Sequence, residues 1–393
     1  MDQFVSIPNI YIGEDATSAL TTELWNQKCK SVFIVSDPGV VASGAVERVQ
    51  VLLKSQKVRS QVFCDVKATP TIENIRAGVK ELRRSQANVM IAVGGGSVSD
   101  AAKAIGLALA NTDHADIASL EGHPRTRNTP PYLIVVPTTF SPAATSTDLV
   151  VFDRGKSRQF VCRDIHAIPR MVVVLPTCMG TMPPALAAQT ALEALTAAID
   201  VVIDYAAISP SETSVSDSVA GNSSFLRKTT FTISKRSVHV LIDSLSEYAT
   251  SNTLTPEGTI QMSEASLAVG ATQSNCRGGM LRAMARALSA AYEMPYGFAC
   301  ATVLSHIKEL SDSLKVVAPN ASAAFNTAEI PDVVENLIER FPLQHFPYVT
   351  KDGDAEKLTR HVCDDFFAKE YMQNFACLSE HQIRTIIRDI LQL

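Results

Sequence analysis

Two textures of apolar and polar positions follow one another along the chain, and the change falls near Leu175-Pro176. Before it, short apolar runs alternate with segments whose apolar residues recur at helical spacing. Ser31-Val32-Phe33-Ile34-Val35, Asn88-Val89-Met90-Ile91-Ala92 and Tyr132-Leu133-Ile134-Val135-Val136 lack a polar face, as expected of parallel strands covered on both sides. Ser60–Cys64 and residues 4–12, around Pro8, read as further strands. Helices are predicted over about 16–29, 42–56 and 71–85, and after the glycine turn to about residue 110. This alternation predicts an N-terminal doubly wound α/β domain over residues 1–176. After it, Pro183-Pro184 opens an alanine-rich helix through Asp204. Amphipathic spacing then predicts helices near 234–250, 256–274, 279–292, 298–315, 331–340, 354–369 and 379–392. Residues 177–393 therefore read as a C-terminal all-helical domain. Residues 208–224, rich in Ser, Thr and Asn, read as a loop or insertion.

Composition narrows the function classes. The 393 residues are 46% apolar and carry a net charge of −5, with no basic run. That argues against nucleic acid as a partner. The eight cysteines occur singly, without a CxxC pair, which points to reduced thiols in a cytoplasmic compartment. No apolar run reaches the ~20 residues of a membrane span. Trp25 reads as packing on the first helix, His166 as a surface residue, and Asp364-Asp365 as a solvated helix face.

The chemistry begins at Val93-Gly94-Gly95-Gly96-Ser97-Val98-Ser99-Asp100, between a buried-type strand and an alanine-rich helix. The glycines strip the turn of side chains, so backbone N–H groups at a helix start can meet a phosphate. The alternative is a tight turn with a capped helix and no ligand; Ser97 and Asp100 sit where helix N-terminal residues belong. Asp37 follows a strand's carboxyl end, the edge where open parallel sheets bind ligands. It could hold a ribose hydroxyl or serve as a turn Asp before Pro38-Gly39.

Asp37, Gly94-Gly95-Gly96-Ser97-Val98-Ser99-Asp100-Ala101-Ala102-Lys103 and Pro137-Thr138-Thr139 resemble, in order and spacing, the group III (iron-containing) alcohol dehydrogenases of the dehydroquinate synthase fold. Cys162–Val173 is similar to the corresponding segment of maleylacetate reductases. The resemblance implies a nucleotide-binding domain, a helical domain, an active-site cleft between them and a homodimer. It implies that Gly94, Gly95, Gly96 and Ser97 hold the cofactor pyrophosphate, with Asp100 near the same pocket. Thr138 and Thr139 would add phosphate or nicotinamide-side contacts. Asp37 at the ribose would favour NAD(H) over NADP(H), because a carboxylate repels a 2′-phosphate.

The metal positions depart from that family. Its metal-dependent members place an Asp and a His four residues apart on one helix, a His on a later helix and a His in a Pro-His-Gly turn. The matching residues here are Glu193, Ala197, Arg282 and Tyr296. Arg286 falls where many members keep a further histidine. Alanine cannot ligate, arginine stays protonated, and one carboxylate is no site by itself. The loop after Thr139, Phe140–Thr147, lacks the family's glycines and carries Pro142.

The expectation is therefore no catalytic metal. Arg282 and Arg286, at i,i+4 on one helix face, would meet Glu193 or an anionic or carbonyl-bearing small-molecule substrate. Tyr296 would donate a proton or a hydrogen bond. The alternative is a salt bridge from Glu193 that fills the emptied metal site. The function expected is metal-independent, NAD(H)-dependent oxidation or reduction of a small carbonyl or enone. The runner-up is a non-redox dehydratase, isomerase or cyclase, in specialised biosynthesis, with Arg282 and Arg286 stabilising an enolate and Tyr296 or Glu193 as acid or base. A non-catalytic binding protein is the third class, and the convergent polar set speaks against it.

Overall fold

The computed structural model describes residues 9–114, 116–122, 126–208, 225–251, 253–276, 279–308, 312, 329–341, 350–351, 353–365, 368–369, 372 and 378–392. The Ser/Thr-rich stretch expected over 208–224 lies, from 209 on, outside the described residues, as does the end of the helix expected to reach 315.

Two compact units are present. The first, Val5–Pro183 with Thr255–Ser274, is α/β. Its sheet has six parallel strands in the order β1-β8-β5-β4-β2-β3. These are β1 (Asn9–Ile12), β2 (Ser31–Val35), β3 (Arg59–Phe63), β4 (Val89–Gly94), β5 (Tyr132–Pro137) and β8 (Met171–Val174). β4 is buried along its whole length, and Val32–Val35 of β2 likewise. Helices on the sheet complete the apolar core, which joins Leu20, Val46, Val49 and Leu53 to Val32, Ile34, Ile91 and Val136. The helix Ile72–Ser85 starts where Thr71 and Asn74 form a reciprocal capping box, so two orphan N–H groups are satisfied at once. The strand order reverses between β2 and β4: β2 leads outward to β3, while β4 leads the other way to β5.

An antiparallel hairpin, β6 (Asp148–Asp153) and β7 (Arg158–Arg163), lies outside the expected alternation. The helix Pro256–Gln273 also differs from expectation. It groups with the α/β unit rather than with the helical half, as do residues 177–183. Gly270 is the reason on this helix. A Cβ there would collide with Pro142 O and Thr145 Oγ1, so only glycine lets the helix pack on the loop after β5. Thr145 Oγ1 donates to Leu267 O (2.6 Å), and Thr147 N–H to Ser274 Oγ (2.9 Å).

The second unit, Pro184–Leu254 with Asn275–Leu393, is helical among its described residues. Its central helix, Pro184–Ile208, packs against Phe225–Ser251, Met280–Tyr292 and Tyr296–Ser305. The stretch Pro184–Tyr205 is long and apolar enough to cross a membrane, contrary to the reading of the sequence. Its most apolar window is 83% buried inside the protein, so it is a core helix here.

Three side chains differ from their expected settings. Trp25 is 81% exposed rather than packed. His166 is mostly covered, its Nδ1 2.9 Å from Thr126 Oγ1 and 3.4 Å from Asp164 Oδ1. Asp365 is buried, whereas Asp364 beside it is exposed. The described cysteines are all free thiols.

Candidate functional site

The α/β unit gathers three of the expected segments at one edge. Val35 pairs with Ala92, Ala92 with Val135, and Gly94 with Pro137. The carboxyl ends of β2, β4 and β5 are therefore level, at the point where the strand order reverses. Such a switch point is where open α/β sheets bind ligands. Ser36 ties the edge together: its Oγ donates to Val93 O (2.8 Å) and its N–H to Phe63 O (2.8 Å).

Gly95, not Ser97, is the N-cap of the helix Gly96–Ala110, and no side chain caps it. The intrahelical ladder begins with Ser99 N–H to Gly95 O (3.0 Å). The N–H groups of Gly96, Ser97 and Val98 thus open the helix without a capping side chain. The glycines are required by close packing rather than by left-handed backbone. A Cβ on Gly94 would lie 2.5 Å from Val98 Cγ2, one on Gly95 3.0 Å from Thr139 Oγ1, and one on Gly96 would strike Ser141 Oγ.

Five expected cofactor residues have defined partners within the unit. The Ser97 hydroxyl donates to Ala68 O, so its N–H is the donor left for a ligand. Asp37 caps the short helix Pro38–Ala42, its Oδ1 accepting from Val40 N–H (2.9 Å). Its Oδ2 has no protein partner among the described residues. Thr138 N–H donates to Gly94 O (3.1 Å), while Thr139 Oγ1 accepts from Ser141 N–H (3.4 Å). The largest departure is Asp100. Its carboxylate turns into the unit, where Oδ2 accepts from Val150 N–H (3.0 Å) and Oδ1 lies 3.7 Å from Lys103 Nζ. Burial pushes its pKa up to about 7, against the pull of Lys103 and the Val150 N–H, with Asp148 adding to the rise.

Lys103, which sequence reasoning left without a role, is fully buried below this turn. Its Nζ donates to Ala143 O (2.6 Å) and Asp148 O (2.9 Å). Burial lowers its pKa; Asp100 and Asp148 oppose that. Asp148 in turn holds Arg163 through two bonds of 2.6 and 2.8 Å. This network fixes the loop Phe140–Thr147, which is buried throughout.

The helical unit gathers the other expected set. Gly297 lets the helix Tyr296–Ser305 approach Pro184–Ile208 closely, since a Cβ there would lie 2.6 Å from Gln189 O. Tyr296 and Cys300, one turn apart, then stand within electrostatic reach of Glu193, and Tyr296 also of Arg286. Burial raises the Tyr296 hydroxyl well above its ordinary pKa; Cys300 and Glu193 add to this, while Arg286 and Arg282 oppose it.

The arginines do not pair as expected. Arg282 Nε donates to Asp200 Oδ2 (3.0 Å), not to Glu193. Asp200 also accepts the N–H groups of Leu281 (2.9 Å) and Arg282 (3.0 Å), capping the helix Met280–Tyr292 from its neighbour. Arg286 donates through Nε (3.0 Å) and Nη2 (2.8 Å) to Oδ2 of Asp365. Burial alone would lower its pKa, but Asp365 lifts it above the ordinary value. Sequence reasoning missed both carboxylates. Asp200 carries a signal: Glu193, Ala197 and Asp200 recur at i, i+4 and i+7, one face of a helix. Asp365 has none.

This donor set does not fit a divalent cation. At the position of a ligand, a buried guanidinium holds the nearby carboxylate, whose oxygens already accept three N–H groups. Among the described residues no group of three or more His, Cys, Asp and Glu side chains could hold a metal.

The parallel sheet with its uncapped glycine turn, joined in one chain to a helical unit, defines a class of fold, and comparison with known proteins narrows it. The sequence model of iron-containing alcohol dehydrogenases matches residues 8–176. Lactaldehyde reductase of Escherichia coli K12 is 30% identical over 298 residues, covering 76% of this chain and 72% of that protein. The 1,3-propanediol dehydrogenase of Citrobacter freundii is 28% identical over 94% of this chain and 98% of its own. Alcohol dehydrogenase from Oenococcus oeni shares the fold, with a TM-score of 0.78 at 22% identity over 99% of this chain and 100% of its own. The chain belongs to the iron-containing alcohol dehydrogenase family, a family of alcohol and aldehyde oxidoreductases.

Proposed function

We propose that this protein is an NAD(H)-dependent oxidoreductase that interconverts a small carbonyl compound and its alcohol without a catalytic metal. The observation that carries the reading is the glycine turn, an uncapped helix start at the switch point of a parallel sheet. A pyrophosphate would be held by the N–H groups of Gly96, Ser97 and Val98, with Gly94 and Gly95 permitting close approach. The Thr138 hydroxyl, which has no protein partner among the described residues, adds a contact. Asp37 Oδ2 accepts from a ribose hydroxyl and disfavours a 2′-phosphate.

NADH, when bound, would supply a hydride for reduction of a carbonyl carbon. Tyr296, kept protonated by burial, gives its proton to the carbonyl oxygen and recovers one from solvent. Arg286 donates N–H groups to the same oxygen as negative charge develops. Its Nε and Nη2 hold Asp365, so Nη1 is the edge left for this. These donors take the place of a Lewis acid.

Oxidation of NADH by a panel of small aldehydes and ketones, with a metal chelator present throughout, tests the proposal. Tyr296→Phe should lower kcat by about 10²–10⁴-fold, the contribution of a positioned general acid, while calorimetric NADH binding stays unchanged. Loss of wild-type activity on chelation overturns the metal-free part. Failure of NADH and NADPH to bind overturns the redox part and favours the enolate-stabilising, non-redox use of Arg286 and Tyr296.

A further inference from the structure

The guanidinium charges of Arg282 and Arg286 are each matched by a carboxylate of this chain. Asp200 lies 3.0 Å from Arg282 Nε, and Asp365 lies 2.8 Å from Arg286 Nη2. Glu193, within electrostatic reach of Tyr296, adds a further carboxylate. Arg286 is only 6% exposed. Two of its nitrogens converge on a single oxygen of Asp365, and Nη1 has no protein acceptor among the described residues. An N–H edge left open in this way can donate to an oxygen of a ligand.

The surrounding charge decides which oxygen. A carboxylate ligand needs positive charge not yet matched, and here each arginine has its carboxylate. A neutral carbonyl oxygen accepts the same hydrogen bonds without adding ground-state charge, and gains from them as it becomes an alkoxide.

We propose that Asp365 sets substrate selectivity: by cancelling Arg286 it makes the site accept uncharged carbonyl compounds and reject carbonyl compounds that carry a carboxylate. Asp365 acts through Arg286 and is a positioning residue. The proposal rests on the reading of Arg286 and Tyr296 as carbonyl-polarising groups.

The test uses propionamide and propionate, matched in shape and different in charge, bound to the full chain with and without NADH and measured calorimetrically. Neither probe requires hydride transfer. The wild type should prefer propionamide. Asp365→Asn keeps an acceptor for Arg286 but removes the charge, and should swing the preference toward propionate by about tenfold or more. Arg286→Gln combined with Asp365→Asn restores charge balance and should return the preference to propionamide. A wild type that prefers propionate overturns the proposal without any variant. Equal weakening of both probes in Asp365→Asn overturns it too, because a purely structural role changes affinity and leaves the preference alone. Failure of both probes to bind the wild type in either state overturns the carbonyl site itself. Loss of NADH binding with the probe preference intact overturns the redox reading only.

Discussion

The glycine turn of the α/β unit and the arginine cluster of the helical unit are built from opposite materials. The turn offers backbone N–H groups, and its side chains matter mainly by being absent. The cluster offers side chains whose meaning depends on partners 79 to 82 positions away. A backbone site is legible from a short motif because the chain supplies the donors whatever else changes. A side-chain site is legible only once its counter-charges are known. Arg282 and Arg286 as bare residues suggest an anion site. Set against Asp200 and Asp365 they form neutral pairs with hydrogen-bonding capacity remaining on Arg286.

The contrast can be broken most severely at Gly96. Gly96→Val would force a branched side chain onto Ser141 and close the helix start. NADH affinity should fall by about a hundredfold or more, roughly 2.7 kcal/mol, in calorimetric titration. Circular dichroism should show the helical content retained. If affinity survives, the turn is a structural connection and the cofactor sits elsewhere.

Asp200→Ala comes next. It removes an acceptor from three donors and leaves Arg282 buried without its carboxylate. The expected loss is about 3–5 kcal/mol of stability, the cost of stranding one member of a buried ion pair, read from denaturant unfolding. An exposed pair would give well under 1 kcal/mol, and a result of that size would show that Arg282 relaxes to solvent.

The smallest effect concerns Asp100. Its folded pKa of about 7 lies above the ordinary 3.8, so the folded state binds the proton more tightly than the unfolded chain does. Its contribution to stability is complete below the ordinary value and is lost as pH rises through about 7. Asp100→Asn keeps an acceptor for Val150 N–H and should flatten the fall in unfolding midpoint over that span. An unchanged pH profile would assign the dependence to another group.

Much of the α/β unit was readable because parallel strands buried on both faces leave continuous apolar runs, as β2, β4 and β5 do. The hairpin β6–β7 was not, since its strands alternate and carry charged residues such as Arg163 and Asp148, which pair only after folding. The membership of Pro256–Gln273 in the α/β unit was hidden for a similar reason. The helical period shows that the segment is a helix, while its attachment turns on one missing Cβ at Gly270. Among site residues, Gly94, Gly95 and Gly96 stand where motif reading put them. Ser97 and Asp100 share the motif but point their side chains to Ala68 and Val150. Motif spacing fixes where a residue sits in the chain; rotamer and neighbours decide what it faces. The partners of Arg282 and Arg286 escaped because charge complementarity across a fold leaves no local trace.

The packing of Gly270 against Pro142 has a consequence for how this protein can be cut or recombined. The unit carrying the glycine turn is not a continuous segment: it ends at Pro183 and takes back Thr255–Ser274 after an excursion of 71 residues, Pro184–Leu254. A gene fragment stopping at Pro183 would lack the surface on which Phe140–Thr147 rests, and Thr145 and Thr147 would lose their bonds to Leu267 and Ser274. The α/β unit is therefore not a transplantable cassette. Its graft into another scaffold needs both pieces, and mutations accumulating in the returning helix act on the loop Phe140–Thr147 although they are far from it in sequence.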